Sequence, residues 1–421
     1  MRYQGTGITH PGQERDHNED HMLVRNDIGL YLVADGMGGH AAGEVASEVA
    51  ATTVTAEIEK AMPIFEAVRA GDAHIDAAVE AVEKAVLAAC HEVYRIATTE
   101  RGRAGMGTTL TLIKLVGFKA ILGHVGDSRL YLYRRGVVEQ VSQDHSMVAE
   151  FVRMGMIKPE DANTNPYRHV LTHAIGTQAS VPVDTLAIDV FAGDRFLICS
   201  DGLGDYIESA HSLATFLEEE LTVAAQELVK FANERGGEDN ITVVVVDILG
   251  EPTADLPAVS AADLMRRFEA MRDVDLFRDL PLSQLQSIIN AATVSTFHDG
   301  DIVLEQGGMG EAMYVVLEGG LHVVVGTHDI GAVLPGGAIG ETMLMSPRPS
   351  PATLTALGET RVLTITGAAL EQVLRKRPRL GLRVLRKLGT RAVVALDRAH
   401  GELRKADVGH DETWSQPGDL F

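Results

Sequence analysis

Apolar positions in the first 250 residues follow two periods. Seven short runs are rich in β-branched and aromatic residues and bounded by Gly, Asp or Asn: GLYLVAD (29–35), TLTLIKL (109–115), KAILGHV (119–125), RLYLYRR (129–135), DTLAIDVF (184–191), DRFLICS (194–200) and ITVVVVDI (241–248). That pattern predicts strands. Over 72–98 the period changes, with Ile75, Val79, Val82, Val86, Ala89, Val93 and Ile96 at spacings of three and four, which predicts a helix. Composition makes 41–58 and 223–233 helical as well. Many short strands with few helices predict an α+β fold, an antiparallel sheet packed by helices.

The pattern breaks at GEPTADLPAVSAAD (250–263), where Gly250, Pro252 and Pro257 interrupt any period. A second patterned unit follows, with FHDGDIVLEQGG (297–308), AMYVVLEGGLHVVVG (312–326) and TRVLTITGAAL (360–370). Short strands separated by Gly turns predict a small β-roll, followed by helix from about 368. The expected organisation is a first domain over 1–249, a linker over 250–270, a second domain over 271–392, and a helix end with polar tail over 393–421.

Composition narrows the class. The 421 residues carry 37 Lys+Arg against 59 Asp+Glu, a formal charge of −22. Such a balance repels phosphate backbones and anionic lipid, so it argues against nucleic acid or a membrane as the main partner. Divalent cations stay compatible with it, since they need clustered carboxylates. Cys90 and Cys199 are the two cysteines and neither lies in a CxxC pair, which excludes a disulfide framework or a thiolate zinc site. The opening MRYQGTGITHPGQERDHNED lacks the apolar core of a signal peptide, and no run approaches the ~18 residues of a membrane span. A cytoplasmic chain is expected.

Acidic residues recur where strand patterns begin or stop. Asp35 ends GLYLVAD, Asp127 ends GHVGD, Asp201 follows DRFLICS, Asp239 precedes ITVVVV, and Glu19-Asp20 precede HMLVRN. One Asp-Gly after a strand is ordinary turn chemistry. Five such places in one domain point to convergence at a sheet edge. Carboxylates brought together repel, so they hold a proton or a metal, and an all-oxygen set suits Mg²⁺ or Mn²⁺.

Taken together, RDHNED (15–20), VADGMGGHAAGEVAS (33–47), MGTTL (106–110), GHVGDSRLYLYR (123–134), SQDHS (142–146), LTHAIGT (171–177), LICSDGL (197–203) and GGEDNITVVVV (236–246) resemble the bacterial PPM-type, protein phosphatase 2C-like, metal-dependent Ser/Thr protein phosphatases. The resemblance spans 5–248 and implies a four-layer α-β-β-α sandwich. It implies that Asp35 bridges two Mn²⁺ or Mg²⁺ ions and that the Gly36 carbonyl completes one shell. Glu19 and Asp20 would serve one ion and Asp201 and Asp239 the other. Asp127 with Asp201 would hold a third, weaker one. Arg15 would grip the substrate phosphate, and a metal-bridging water would attack it. Met37 stands where eukaryotic members carry a His proton donor, and His40 is a candidate substitute. His173 stands where bacterial relatives have Arg, and 144–168 corresponds to the flap that shapes protein-substrate recognition.

The second domain, over 276–390, resembles the cyclic-nucleotide-binding fold, a β-roll with flanking helices. Gly340 and Glu341 match the start of its phosphate-binding cassette. Position 350, where the family's phosphate-binding Arg is expected, is Ser, and Arg348 lies two residues early between Pro347 and Pro349. Gly340, Glu341 and Arg348 are therefore the nucleotide-binding candidates, set against a degenerate docking or dimerisation module. The stretch RKRPRLGLRVLRKLGTR (375–391) is strongly basic and reads as a solvated or docking helix face rather than a DNA reader. The resemblance as a whole implies an enzyme acting on phosphorylated proteins, the substrates of Ser/Thr kinases, with a fused sensor-like domain. The alternative is a weakly catalytic scaffold whose sensor domain binds a nucleotide or partner.

Overall fold

The computed structural model describes all residues except 39–41, 101–102, 163, 251–260, 377–379, 391–392 and 394–421. The expected linker centre, the polar tail and His40 therefore lie outside the described residues. The chain divides into two compact units: Met1–Met265 with Pro281–Ser287, and Arg266–Leu280 with the chain from Ile288 onward. The helix Ala261–Asp273 occupies part of the stretch read as linker.

In the first unit, two antiparallel sheets stack between helices. One runs in the order Arg2–His10, Ile241–Leu249, Arg195–Cys199, Arg129–Arg134, Val137–Gln140. The other runs Asp20–Arg25, Leu30–Met37, Leu110–Val116, Lys119–Val125, Asp184–Asp189. Central strands are apolar on both faces because each face is covered. In Leu30–Met37, Leu30, Leu32 and Ala34 pack on the helices Ala42–Lys60 and Ile75–Thr99, while Tyr31 and Val33 point the other way and are also fully buried. In Ile241–Leu249, Val243 and Val245 pack on the helix Leu221–Glu234, and Val244 and Val246 are buried on the opposite face. Helix, sheet, sheet, helix is the four-layer order expected from the resemblance. Both cysteines are buried and unpaired.

The second unit centres on two 14-residue strands, Ala312–Val325 and Thr353–Thr366, paired antiparallel. Thr293–Phe297, Ile302–Leu304 and His328–Val333 complete the roll around Val316, Leu321 and Val362, with a separate ribbon of Met309–Gly310 and Arg348–Pro349. The helix Gly367–Lys376 follows, beginning close to the expected position. No helix among the described residues is long and apolar enough to cross a membrane.

Candidate active site

Strand register builds the acidic edge. Asp20 and Asp35 are direct partners across the antiparallel pair Asp20–Arg25 and Leu30–Met37. Like charges placed opposite one another destabilise a sheet, so this pairing is unexplained by folding alone. On the other sheet, Cys199 pairs with Val243, and the Ser200 amide donates to the Thr242 carbonyl at 3.1 Å. That register brings the turns carrying Asp201 and Asp239 side by side. Ser200 then joins the two sheets, its hydroxyl donating to Asp20 Oδ2 at 2.8 Å.

The electrostatics are those of a site made for cations. Burial pushes the Asp20 carboxyl up to about 7, with Asp201 and Asp239 adding to the shift and hydrogen bonds from Thr242 and Ser200 opposing it. Burial and then the charges of Asp205 and Asp239 push Asp201 up to about 6. Asp35 lies well above the carboxylate range, through burial and then Asp20, Asp201 and Asp127. Asp127 is raised in the same way by burial, Asp201 and Asp144. Burial also raises Glu19. Asp20 Oδ1 and Asp201 Oδ1 are buried with no hydrogen-bond partner among the described residues. Orphaned carboxylate oxygens carry a real energetic cost, and divalent cations with oxygen ligands would satisfy them. The donor set therefore fits Mn²⁺ or Mg²⁺.

The remaining predicted residues lie around this edge. A Cβ on Gly36 would sit 2.2 Å from the Gly43 carbonyl oxygen and 2.5 Å from that of Glu19, so only glycine lets the chain approach so closely there. Arg15 lies 2.8 Å from Asp239 Oδ2 through Nη2, and its Nε donates to the Glu238 carbonyl at 3.3 Å. A cavity of about 450 Å³ opens beside them, lined by Arg15, Asp201 and Asp239 on one side and by Thr164 and Arg168 of the flap with the adjacent His169 on the other. The flap starts with the helix Met147–Arg153, capped by the Ser146 hydroxyl, which accepts from the Ala149 amide at 3.2 Å.

Several residues that support this edge were not singled out from the sequence. Asn240 Oδ1 accepts from the Glu19 amide at 2.7 Å, and its Nδ2 donates to the Pro11 and His17 carbonyls. Thr109 Oγ1 accepts from the Asp35 amide at 3.0 Å. Arg129 joins Asp144 Oδ2 at 2.8 Å to the Gly204 carbonyl at 2.8 Å, bracing the turn that begins at Asp201. His169, Asp201 and Asp205 place ligand-type atoms within 4.8 Å of one another. The available signal was adjacency: Asn240 and Ser200 are sequence neighbours of Asp239 and Asp201.

His173 is half-buried and edge-on to His145, ring centroids 5.0 Å apart. Burial, then His145, lowers its pKa, so it is neutral at physiological pH. In the second unit, Gly340 and Glu341 open a short 3₁₀ turn at Glu341–Leu344, and Arg348 is exposed on the ribbon opposite Gly310. Ser350 is buried, and its hydroxyl donates to the Ala352 carbonyl at 2.6 Å. Position 350 thus presents a closed hydroxyl where the family's cation would stand. Within the basic stretch, Lys387 Nζ lies 2.8 Å from Asp279 Oδ2.

Comparison with known proteins identifies the family of each part of the chain. The protein phosphatase 2C family model matches 7–233, and the cyclic nucleotide-binding domain model matches 294–377. The serine/threonine phosphatase Stp of Listeria innocua is 35% identical over 244 residues, covering 57% of this chain and 93% of that protein. A crystal structure of the Mycobacterium tuberculosis serine/threonine phosphatase PstP/Ppp aligns with a TM-score of 0.53 at 33% identity, covering 59% of this chain and 100% of that one. The PstP catalytic domain in complex with two manganese ions aligns at 0.50 and 34% identity, covering 59% and 99%. With the family model matched over more than half of the chain, and relatives of similar length to the first domain, the chain belongs to the protein phosphatase 2C family.

Proposed function

We propose that this chain is a metal-dependent protein serine/threonine phosphatase acting on phosphorylated proteins, the products of Ser/Thr kinases. The observation that carries the reading is the convergence of Asp20, Asp35, Asp201 and Asp239 on one edge, with buried oxygens lacking partners. Asp35 is assigned to both ion positions and the Gly36 carbonyl to one of them, Glu19 and Asp20 to one ion, and Asp201 and Asp239 to the other. Asp127 with Asp201 is assigned to a third. Two Mn²⁺ or Mg²⁺ ions there would supply activation of water and screening of phosphate charge. Arg15 offers a planar fork matched to phosphate oxygens. The cavity beside Arg15 receives the phosphoresidue, and Arg168 of the flap with the adjacent His169 forms its far wall. Two buried free thiols suit a reducing, cytoplasmic compartment.

The catalytic domain is assigned to 1–249 and a regulatory sensor-like domain to 271–392. In the latter, Gly340, Glu341 and Arg348 are the groups available to a nucleotide. Because Ser350 replaces the buried cation, cyclic AMP is expected to bind weakly, and micromolar affinity by calorimetry would contradict this. The enzymatic reading is tested with a phosphothreonine peptide. Release of phosphate should require Mn²⁺ or Mg²⁺ and fall at least a hundredfold in Asp201→Asn, in line with loss of a group acting directly at the reaction centre. Undiminished turnover in that variant would refute it.

A further inference from the structure

The loop carrying Asp127 is held by a histidine that the reaction itself does not use. His145 makes a reciprocal pair of hydrogen bonds with Gly126: its amide donates to the Gly126 carbonyl at 2.7 Å, and the Gly126 amide donates to His145 Nδ1 at 3.1 Å. Gly126 has φ +112°, and a Cβ there would meet Thr109 at 2.6 Å, so this segment has one narrow conformation to keep. Accepting through Nδ1 fixes the tautomer, with the proton on Nε2, which faces Asp184 Oδ2 at 3.4 Å. His145 is buried between His124, whose ring is tilted against it, and His173, which meets it edge-on, with centroids 4.8 and 5.0 Å away.

The other side of the same loop is held independently. The Thr111 hydroxyl lies 2.8 Å from the Ser128 carbonyl and 2.8 Å from His124 Nδ1. Ser128 Oγ lies 2.7 Å from Thr109 Oγ1, the group that receives the Asp35 amide. His145 also reaches the segment just beyond the flap: the Thr172 amide donates to its carbonyl at 2.8 Å, and neighbouring Ser146 bridges Leu171. An unbroken chain of hydrogen bonds thus runs from 171–172 through His145 to Gly126, next to Asp127.

We propose that His145 is a positioning residue: through Nδ1 it sets the conformation of the loop that carries Asp127. The inference rests on the assignment of Asp127 to a metal. It is tested by Mn²⁺ calorimetry on the full chain, comparing wild type with His145→Asn, His145→Gln and Asp127→Asn. Asn Oδ1 falls where imidazole Nδ1 lies and keeps the acceptor, whereas the longer Gln chain places its polar atoms beyond it. The Gln variant should weaken the weakest Mn²⁺ step about 10- to 100-fold, the range for outer-shell partners, and Asn should restore it. Thermal melts of both variants, run alongside, should show the same folded baseline. If Gln binds as wild type does, or Asn loses the step as Gln does, the positioning role is overturned. A step that survives in Asp127→Asn overturns the metal assignment instead, so the two failures are distinct.

Discussion

Asn240 shows how one neutral side chain can govern a charged site. It is buried and saturates three backbone groups, the Glu19 amide and the Pro11 and His17 carbonyls, on the segment that delivers Glu19 and Asp20. Replacing it with alanine leaves those groups unpaired, at about 1–3 kcal/mol for each one that stays buried. Asn240→Ala is expected to lose about 2–4 kcal/mol in urea unfolding and to raise the Mn²⁺ requirement; a loss below about 0.5 kcal/mol would contradict this account. Legibility at this scale was uneven for a physical reason. Asp35 and Asp201 stand out because a carboxylate ending an apolar strand is unusual. Asn240, Ser200 and Thr109 are ordinary turn and strand residues until the fold reveals which amide or carboxylate each one faces.

The seven strands expected in the first unit are all present, with ends shifted by a residue or two, as from GLYLVAD (29–35) to Leu30–Met37. Arg2–His10, Asp20–Arg25 and Val137–Gln140 were not read as strands, and each lies at the edge of its sheet. Edge strands are half-covered, so their sequences, such as RYQGTGITH, lack the apolar run that marks a central strand. The helix Leu221–Glu234 carries the opposite lesson. Its stripe of Leu221, Ala224, Ala225, Leu228, Val229 and Ala232 is buried against the sheet, and burial keeps the period visible. Leu228 is fully buried there, so Leu228→Ala should cost about 2–5 kcal/mol through lost contacts and a cavity. Its turnover per folded molecule should be unchanged. A cost under about 1 kcal/mol, or a specific loss of turnover, would show that this helix does not act as a passive cover.

At the scale of the whole molecule, the charge of −22 is spread unevenly. Asp20 and Asp201, raised to about 7 and about 6, hold protons in the metal-free fold that they would release when unfolded. A raised carboxyl pKa means the folded form binds the extra proton. These two groups therefore remove stability as pH rises from about 4 through 6 and 7. Divalent ions bound there, as proposed, would replace those protons, so the gain in melting temperature from Mn²⁺ should grow between pH 5 and pH 7.5. Melts at several pH values check this, and a gain independent of pH would contradict it. His124, pushed down to about 4 by burial, changes stability in the opposite sense at the acid end, so the comparison is made with and without Mn²⁺ at each pH.

The ion pair between Arg15 and Asp239 has a consequence for the order of events. A guanidinium resting on a carboxylate proposed to hold metal is partly engaged until a cation takes over that carboxylate's charge. Loading with the ion would then favour capture of the ester, an order that limits turnover by an incompletely assembled enzyme. Inorganic phosphate should accordingly bind the Mn²⁺-loaded chain and fail to bind after EDTA treatment; equal binding in both calorimetric titrations would make the order random.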